Sequence, residues 1–196
     1  MKKVVPKDAI LIPAEATRVF EGVVFDVYQW DQELFDGSTK KFEMLTRPDT
    51  VVTIGIDENK IILLNEEQPH RGRETTFPGG RVDLEDPSVL EAAKRELFEE
   101  TGYRFADWRL VEVRQPLVKL EWFVHTFVAW NVTERTKAKG EAGEKILLQL
   151  MDLPRLKQLI RTRENYLGES AELFRDAART EDLKSLPEFK GKEVDR

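Results

Sequence analysis

Cysteine is absent from the 196-residue chain. Disulfides, thiolate nucleophiles and sulfur-ligated zinc sites are therefore excluded by composition. Histidine is nearly absent, His70 and His125 being the only two. A metal site here must be built mainly from carboxylates, the donor set of hard ions such as magnesium or manganese. Long apolar runs are missing too: the uncharged residues 122–132 fall far short of the roughly 20 that a spanning helix needs, so no membrane partner is expected. Nor is there an excess of positive charge, since 31 basic residues stand against 37 acidic ones, a net charge of −6 and a pI near 5.2. A general grip on nucleic acid needs a positive field and is excluded; a small polyanion held by a few local cations or a metal is not. Met1-Lys2-Lys3-Val4-Val5-Pro6-Lys7 carries charge with no apolar run behind it, unlike a signal peptide, so a cytoplasmic location is expected.

What is present is enough for a core: 40% of residues are apolar, and the length suits one main domain. The first half reads as strand. Residues 23–30 mix β-branched and aromatic side chains, and residues 41–46 alternate with period two. Asp36-Gly37 between them is a hairpin signal. Arg47-Pro48-Asp49 breaks the run. Residues 51–56 and 60–64 then form a strand pair around Asp57-Glu58-Asn59, the first of them apolar enough for burial on both faces. A helix is expected over residues 87–101, capped by Asp86 or Ser88, with Pro87 at its entry and Gly102 as its left-handed stop. Strands follow at 108–114, 121–131 and 145–151, then a helix to about residue 163 and one more over 169–180. The expected division is an N-terminal β-segment (1–47), a main domain (48–168) and a C-terminal helix with a charged tail (169–196).

On the 87–101 helix, Glu96, Glu99 and Glu100 stand at i, i+3 and i+4 and share one narrow face, while Leu90, Ala93 and Leu97 turn toward the core. Like charges one turn apart repel by a few tenths of a kcal/mol. Negative charge late in a helix also opposes the macrodipole. Both effects disfavour the arrangement, so a cation is expected to compensate. Arg95, one turn from Glu99, is one. Phe77-Pro78-Gly79-Gly80 ahead of the helix is a tight bend that lets backbone carbonyls approach an ion. Carboxylates facing such a bend are the oxygen-rich surroundings magnesium accepts while keeping several waters.

The run Gly80 … Arg95-Glu96-Leu97-Phe98-Glu99-Glu100-Thr101-Gly102-Tyr103 resembles the Nudix box, G-x5-E-x7-R-E-U-x-E-E-x-G-U, with U a bulky apolar residue. Its second half matches at every defined position. Its first half departs: Gly80 and Arg95 lie 15 positions apart where the box has 14, so Pro87 falls where the first glutamate belongs, and Glu85 or Asp86 can fill that role. Residues 20–163 are similar in order to the ADP-ribose pyrophosphatase branch. The resemblance implies an α/β/α sandwich around a mixed sheet, with the N-terminal β-segment often exchanged within a homodimer.

The activity that the resemblance implies is metal-dependent attack of water on the diphosphate bridge of a nucleoside diphosphate linked to another group, as in ADP-ribose or a nucleotide sugar. Two other readings stay open: pyrophosphohydrolysis of nucleoside triphosphates, and a non-catalytic module that senses a nucleotide. By resemblance Glu96, Glu99, Glu100 and the Gly79 carbonyl hold Mg2+ or Mn2+, joined by Glu144 from a later loop. The branch places its general base two residues before Glu144, where Ala142 stands. Glu141, Glu144 or a box glutamate such as Glu99 are the remaining choices for that role. Arg71 and Arg73, with His70, suit a phosphate contact because the guanidinium fork matches its oxygens. Trp122, like Trp30 and Tyr28, can stack on a base. His125, inside an apolar strand, reads as a core or cleft residue.

Overall fold

The computed structural model describes residues 4–69, 71–138 and 145–162. The first strands are β1 (Thr17–Glu21), β2 (Asp26–Glu33), β3 (Thr39–Thr46), β4 (Thr50–Asp57) and β5 (Lys60–Gln68). Next come β6 (Arg71–Thr76), β7 (Gly79–Arg81) and the helix α1 (Val89–Thr101). The chain continues through β8 (Tyr103–Arg114), β9 (Leu120–Glu121), β10 (Val124–Arg135) and β11 (Lys145–Asp152) into α2 (Leu153–Thr162).

Two sheets result. The smaller has the order β1-β2-β3-β9, and the larger runs β11-β5-β4-β10-β8 with β6 added on β5 and β7 on β4. In the larger sheet β10 lies parallel to β4 while the other pairings are antiparallel, which makes it mixed. The period-two alternation of strand side chains decides what covers each face. Val51, Phe127, Ile62 and Ala129 pack with Val89, Ala92, Ala93 and Leu97 of α1. Their strand neighbours Ile54, Ile61, Leu63 and Val128 pack with Leu153, Leu156 and Leu159 of α2. The central strands are thus apolar on both faces and one helix seals each, the expected α/β/α arrangement. The small sheet is joined to this body by β9, where Leu45 pairs with Leu120 and the Thr46 hydroxyl donates to the Glu121 carbonyl at 3.0 Å.

Most expected elements are present with shifted bounds. Residues 17–21, read as no element, form β1 by pairing with β2. The stretch 71–76, read as a loop ahead of the bend, is β6 and pairs with β5. The single strand expected over 121–131 is divided into β9 and β10. The break at Trp122-Phe123 has a local cause: the Trp122 N–H turns back to the Leu120 carbonyl, and the Phe123 N–H donates to the Asp49 carboxylate. The helix opens at Val89 rather than Pro87, with Ser88 as its cap, accepting from the Glu91 N–H. The helix expected over 169–180 lies outside the described residues.

Candidate functional site

α1 and β7 position the acidic face. Gly102, with φ 74°, ends α1, and its N–H returns to the Phe98 carbonyl. Before α1, the Thr53 N–H donates to the Pro78 carbonyl and the Val82 N–H to the Asp49 carbonyl. These bonds fix the phase of the antiparallel β4–β7 ladder, so Gly79, opposite Val52, turns both its N–H and its carbonyl away from β4. That N–H donates to Glu100 Oε2 at 2.8 Å; the Gly79 carbonyl therefore opens toward the same side as Glu100. Glu96 lies against Gly80 so closely that a Cβ there would meet its carboxyl carbon at 2.4 Å. At Gly80 the Glu96 carboxylate occupies the space a side chain would need, and at Gly79 the β4 backbone does.

Arg95 binds this face together. Its Nη1 donates to Glu96 Oε1 at 2.9 Å and to Glu99 Oε2 at 3.2 Å. Its Nε and Nη2 take both oxygens of Asp86, at 3.0 and 2.9 Å, and Nη2 also reaches the Arg81 carbonyl at 2.9 Å. Asp86 therefore fills the place of the displaced first glutamate of the motif, while Glu85 lines a neighbouring cleft. The paired Arg95 guanidinium holds the Asp86 carboxyl below its ordinary range, and Arg95 in turn is held charged. Burial pushes the Glu96 carboxyl up, against the pull of Arg95.

Among the described residues no three carboxylate or imidazole groups converge on one point. The geometry explains this: Glu96 and Glu99 are bridged by Arg95, and Glu100 is turned to the Gly79 N–H. The donors gathered at β7 are two carboxylates, Glu96 and Glu100, and the Gly79 carbonyl. This oxygen-only set fits a hard cation that keeps several waters.

The other expected site residues fall into three groups. His70, Glu141 and Glu144 lie outside the described residues. Arg71 opens β6 opposite Gln68. Arg73 is not brought to the glutamates: its Nη2 reaches Glu67 Oε2 at 3.4 Å. Alternation along β5 sets Glu67 with Leu63 and Asn65, on the α2 side of the sheet. Trp122 is half-buried, its Nε1 donating to Thr50 Oγ1 at 2.9 Å and its ring carrying the Arg47 guanidinium at 5.0 Å. Arg47 thereby occupies one face of the ring. Tyr28 and Trp30 sit in β2, where Trp30 packs on Phe42.

Beside β7 lies a cleft of about 740 Å³ between the β1–β2 loop, the β3–β4 junction and the loop that leads into α1. Its lining includes Arg47, Asp49, Arg81 and Asp83, none of which is a defined position of the motif. The one signal is Arg47-Pro48-Asp49, which marks a chain break but not its chemistry. Arg47 stands by the Phe25 and Trp122 rings, at 5.6 and 5.0 Å, and its Nε is buried with no hydrogen-bond partner among the described residues. Burial, and Arg81 nearby, lower its pKa. His125 is fully buried and its Nε2 donates to Asp49 Oδ2 at 3.2 Å; it supports the cleft wall from behind, as a core position suggests.

The NUDIX domain family matches residues 46–168. The chain is 29% identical over 169 residues to an ADP-ribose pyrophosphatase of Bacillus subtilis (strain 168), covering 79% of this chain and 85% of that protein. It is 33% identical over 128 residues to a methanol dehydrogenase activator of Bacillus methanolicus, covering 63% of this chain and 68% of the other. A solved ADP compounds hydrolase superposes with a TM-score of 0.64 at 22% identity, over 85% of this chain and 95% of that one, and shares its fold.

Proposed function

The chain belongs to the Nudix domain family and is a Nudix hydrolase, and from that premise we propose that it cleaves the diphosphate bridge of a nucleoside diphosphate joined to a second group, as in ADP-ribose or a nucleotide sugar. The likeness to an ADP-ribose pyrophosphatase supports this choice over triphosphates. The observation that carries it is the pair Glu96 and Glu100 held against the Gly79-Gly80 backbone, two residues before Arg81 enters the wall of a 740 Å³ cleft. That volume is within the about 300–1,000 Å³ typical of small-molecule sites.

Magnesium, or manganese in its place, is the proposed cofactor, held by Glu96, Glu99, Glu100 and the Gly79 carbonyl, with Glu144 joining them. When bound, such an ion offsets the charge of the diphosphate and acidifies water at the reacting phosphorus. The chain supplies the rest. Arg95 ties Glu96 and Glu99 to Asp86 and so fixes the rotamers of the acidic face. A carboxylate accepts the proton of the attacking water as the new P–O bond forms and the bridging P–O bond breaks; Glu99, Glu141 and Glu144 are the groups proposed for this. Glu99 is half-exposed and on the face it would serve. Arg71 and His70, on the way into the bend, are proposed phosphate contacts.

A homodimer is part of the proposal. Every residue of the edge strand β1 is exposed, Val19 and Phe20 among them, and an apolar edge of this kind invites pairing with another copy.

The test is a panel of ADP-ribose, nucleotide sugars and nucleoside triphosphates with MgCl2, products resolved by chromatography. Two monophosphates from a diphosphate compound are expected. Release of inorganic pyrophosphate from triphosphates alone would overturn the substrate class.

A further inference from the structure

Two short turns face the cleft, and each is pinned by an aspartate. In the loop before α1, the Asp83 N–H donates to Asp86 Oδ2 at 2.8 Å and the Asp86 N–H returns to the Asp83 carbonyl at 3.2 Å. Asp86 is itself clamped by Arg95. Leu84, at the tip of this turn, is fully exposed. This is also the loop that carries one residue more than the motif spacing. In the loop after β1, the Gly22 N–H donates to Asp26 Oδ1 at 3.2 Å. A Cβ on Gly22 would meet the Phe25 carbonyl at 2.4 Å, so the chain folds back too tightly for any other residue. Val23, at that tip, is fully exposed as well. Both tips line the one cleft.

A free leucine and a free valine on braced turns at a cleft mouth gain free energy when an apolar surface comes between them. The charges inside say what that surface belongs to. Of the ionisable residues lining the cleft, Glu21, Asp26, Asp49, Asp83 and Glu85 are acidic against Arg47 and Arg81. A lining richer in acceptors than in cations disfavours a further anionic group and suits a neutral one that bears N–H or O–H donors. A purine or pyrimidine nucleoside has that chemistry: apolar faces, and donors around its edge.

Resting on the hydrolase reading above, we propose that Leu84 and Val23 clamp the base of the nucleotide substrate, so that the lengthened loop before α1 sets preference for the nucleoside end of the molecule. The diphosphate then extends past Arg81 toward Gly79 and the glutamates. Both residues are specificity determinants; neither touches the reacting atoms.

Calorimetry with AMP and with ribose 5-phosphate, which differ by the base, reads the clamp without turnover. Wild-type protein is expected to favour AMP by about tenfold or more, the scale on which a hydrophobic pocket discriminates. Leu84→Ser and Val23→Ser, both at exposed tips that the fold does not need, should each remove much of that preference and leave ribose 5-phosphate affinity as it was. For ADP-ribose the loss should fall on KM and not on kcat. Equal affinity for the two ligands in the wild type, or a preference that survives in both variants, would overturn the clamp. A wild type that shows the preference, loses it in the variants and yet hydrolyses no diphosphate compound would leave the clamp standing and remove the hydrolase reading.

Discussion

Arg95 hydrogen-bonds four groups at once and pairs with Asp83 besides, and its value to the fold depends on Asp86. The bidentate pair is charge-assisted at both oxygens, and Asp86 is 8% exposed. Its carboxyl titrates below its ordinary range; the stabilisation is therefore complete above the ordinary carboxylate pKa and disappears as pH falls through the lowered value. Asp86→Asn should cost about 1–3 kcal/mol near neutrality, with the gap to wild type in thermal melts closing on strong acidification. Glu96 works the other way. Burial raises its carboxyl, so in ion-free protein its charge lowers stability as pH rises through the raised value. Glu96→Gln should melt higher than wild type without added metal at pH 7, while turnover with MgCl2 falls by at least about 100-fold. At this scale the glutamates and Arg95 were legible because a helix places i, i+3 and i+4 on one face whatever surrounds it. Arg73 was not, because a one-residue step along β6 changes its face, and no local pattern announced a strand there. Arg47 acts through Phe25 and Trp122, 22 and 75 positions away, and Leu84 lines its cleft with Val23, 61 positions away; helix and strand spacing rules do not reach so far.

β7 and α1 form a two-part frame in which glycines serve different ends. A Cβ on Gly79 would meet the Val51 carbonyl at 2.2 Å and the Val52 Cα at 2.9 Å, both backbone of β4. The three atoms nearest a Cβ on Gly80 all belong to the end of the Glu96 side chain, which can swing aside. Gly79→Ala should therefore cost about 2–3 kcal/mol in urea unfolding, as overpacking against a rigid partner does. Gly80→Ala should cost under about 1 kcal/mol but lower activity by about 100-fold, because a carboxylate displaced by an ångström is misplaced for the chemistry. Equal stability losses at the two positions would contradict the division. Element types were readable from period and caps: Ser88, Gly102 and the Asp36-Gly37 turn each act through local backbone bonds. The bounds of β1, β6 and β9 were not readable, since these strands exist by virtue of partners elsewhere in the chain.

The whole molecule is a mixed sheet sealed by a helix on each face, with a second sheet held at one end through β9. The doubly apolar strands made the sandwich legible, whereas the cleft depends on how the sheets meet, and the sequence marked it only by the chain break at Arg47-Pro48-Asp49. The exposed edge strand β1 carries the dimer proposal. Light scattering should give twice the chain mass for wild type and the monomer mass for Phe20→Glu; a monomeric wild type at micromolar concentration would end it. Everything functional rests on the acidic face of α1 holding a divalent cation. Electron paramagnetic resonance of Mn2+ titrated into the protein tests that most directly. The account predicts that wild type removes the free-ion signal and that the Glu96→Gln, Glu100→Gln double variant, folded by circular dichroism, does not. Equal Mn2+ uptake by the two proteins would contradict it.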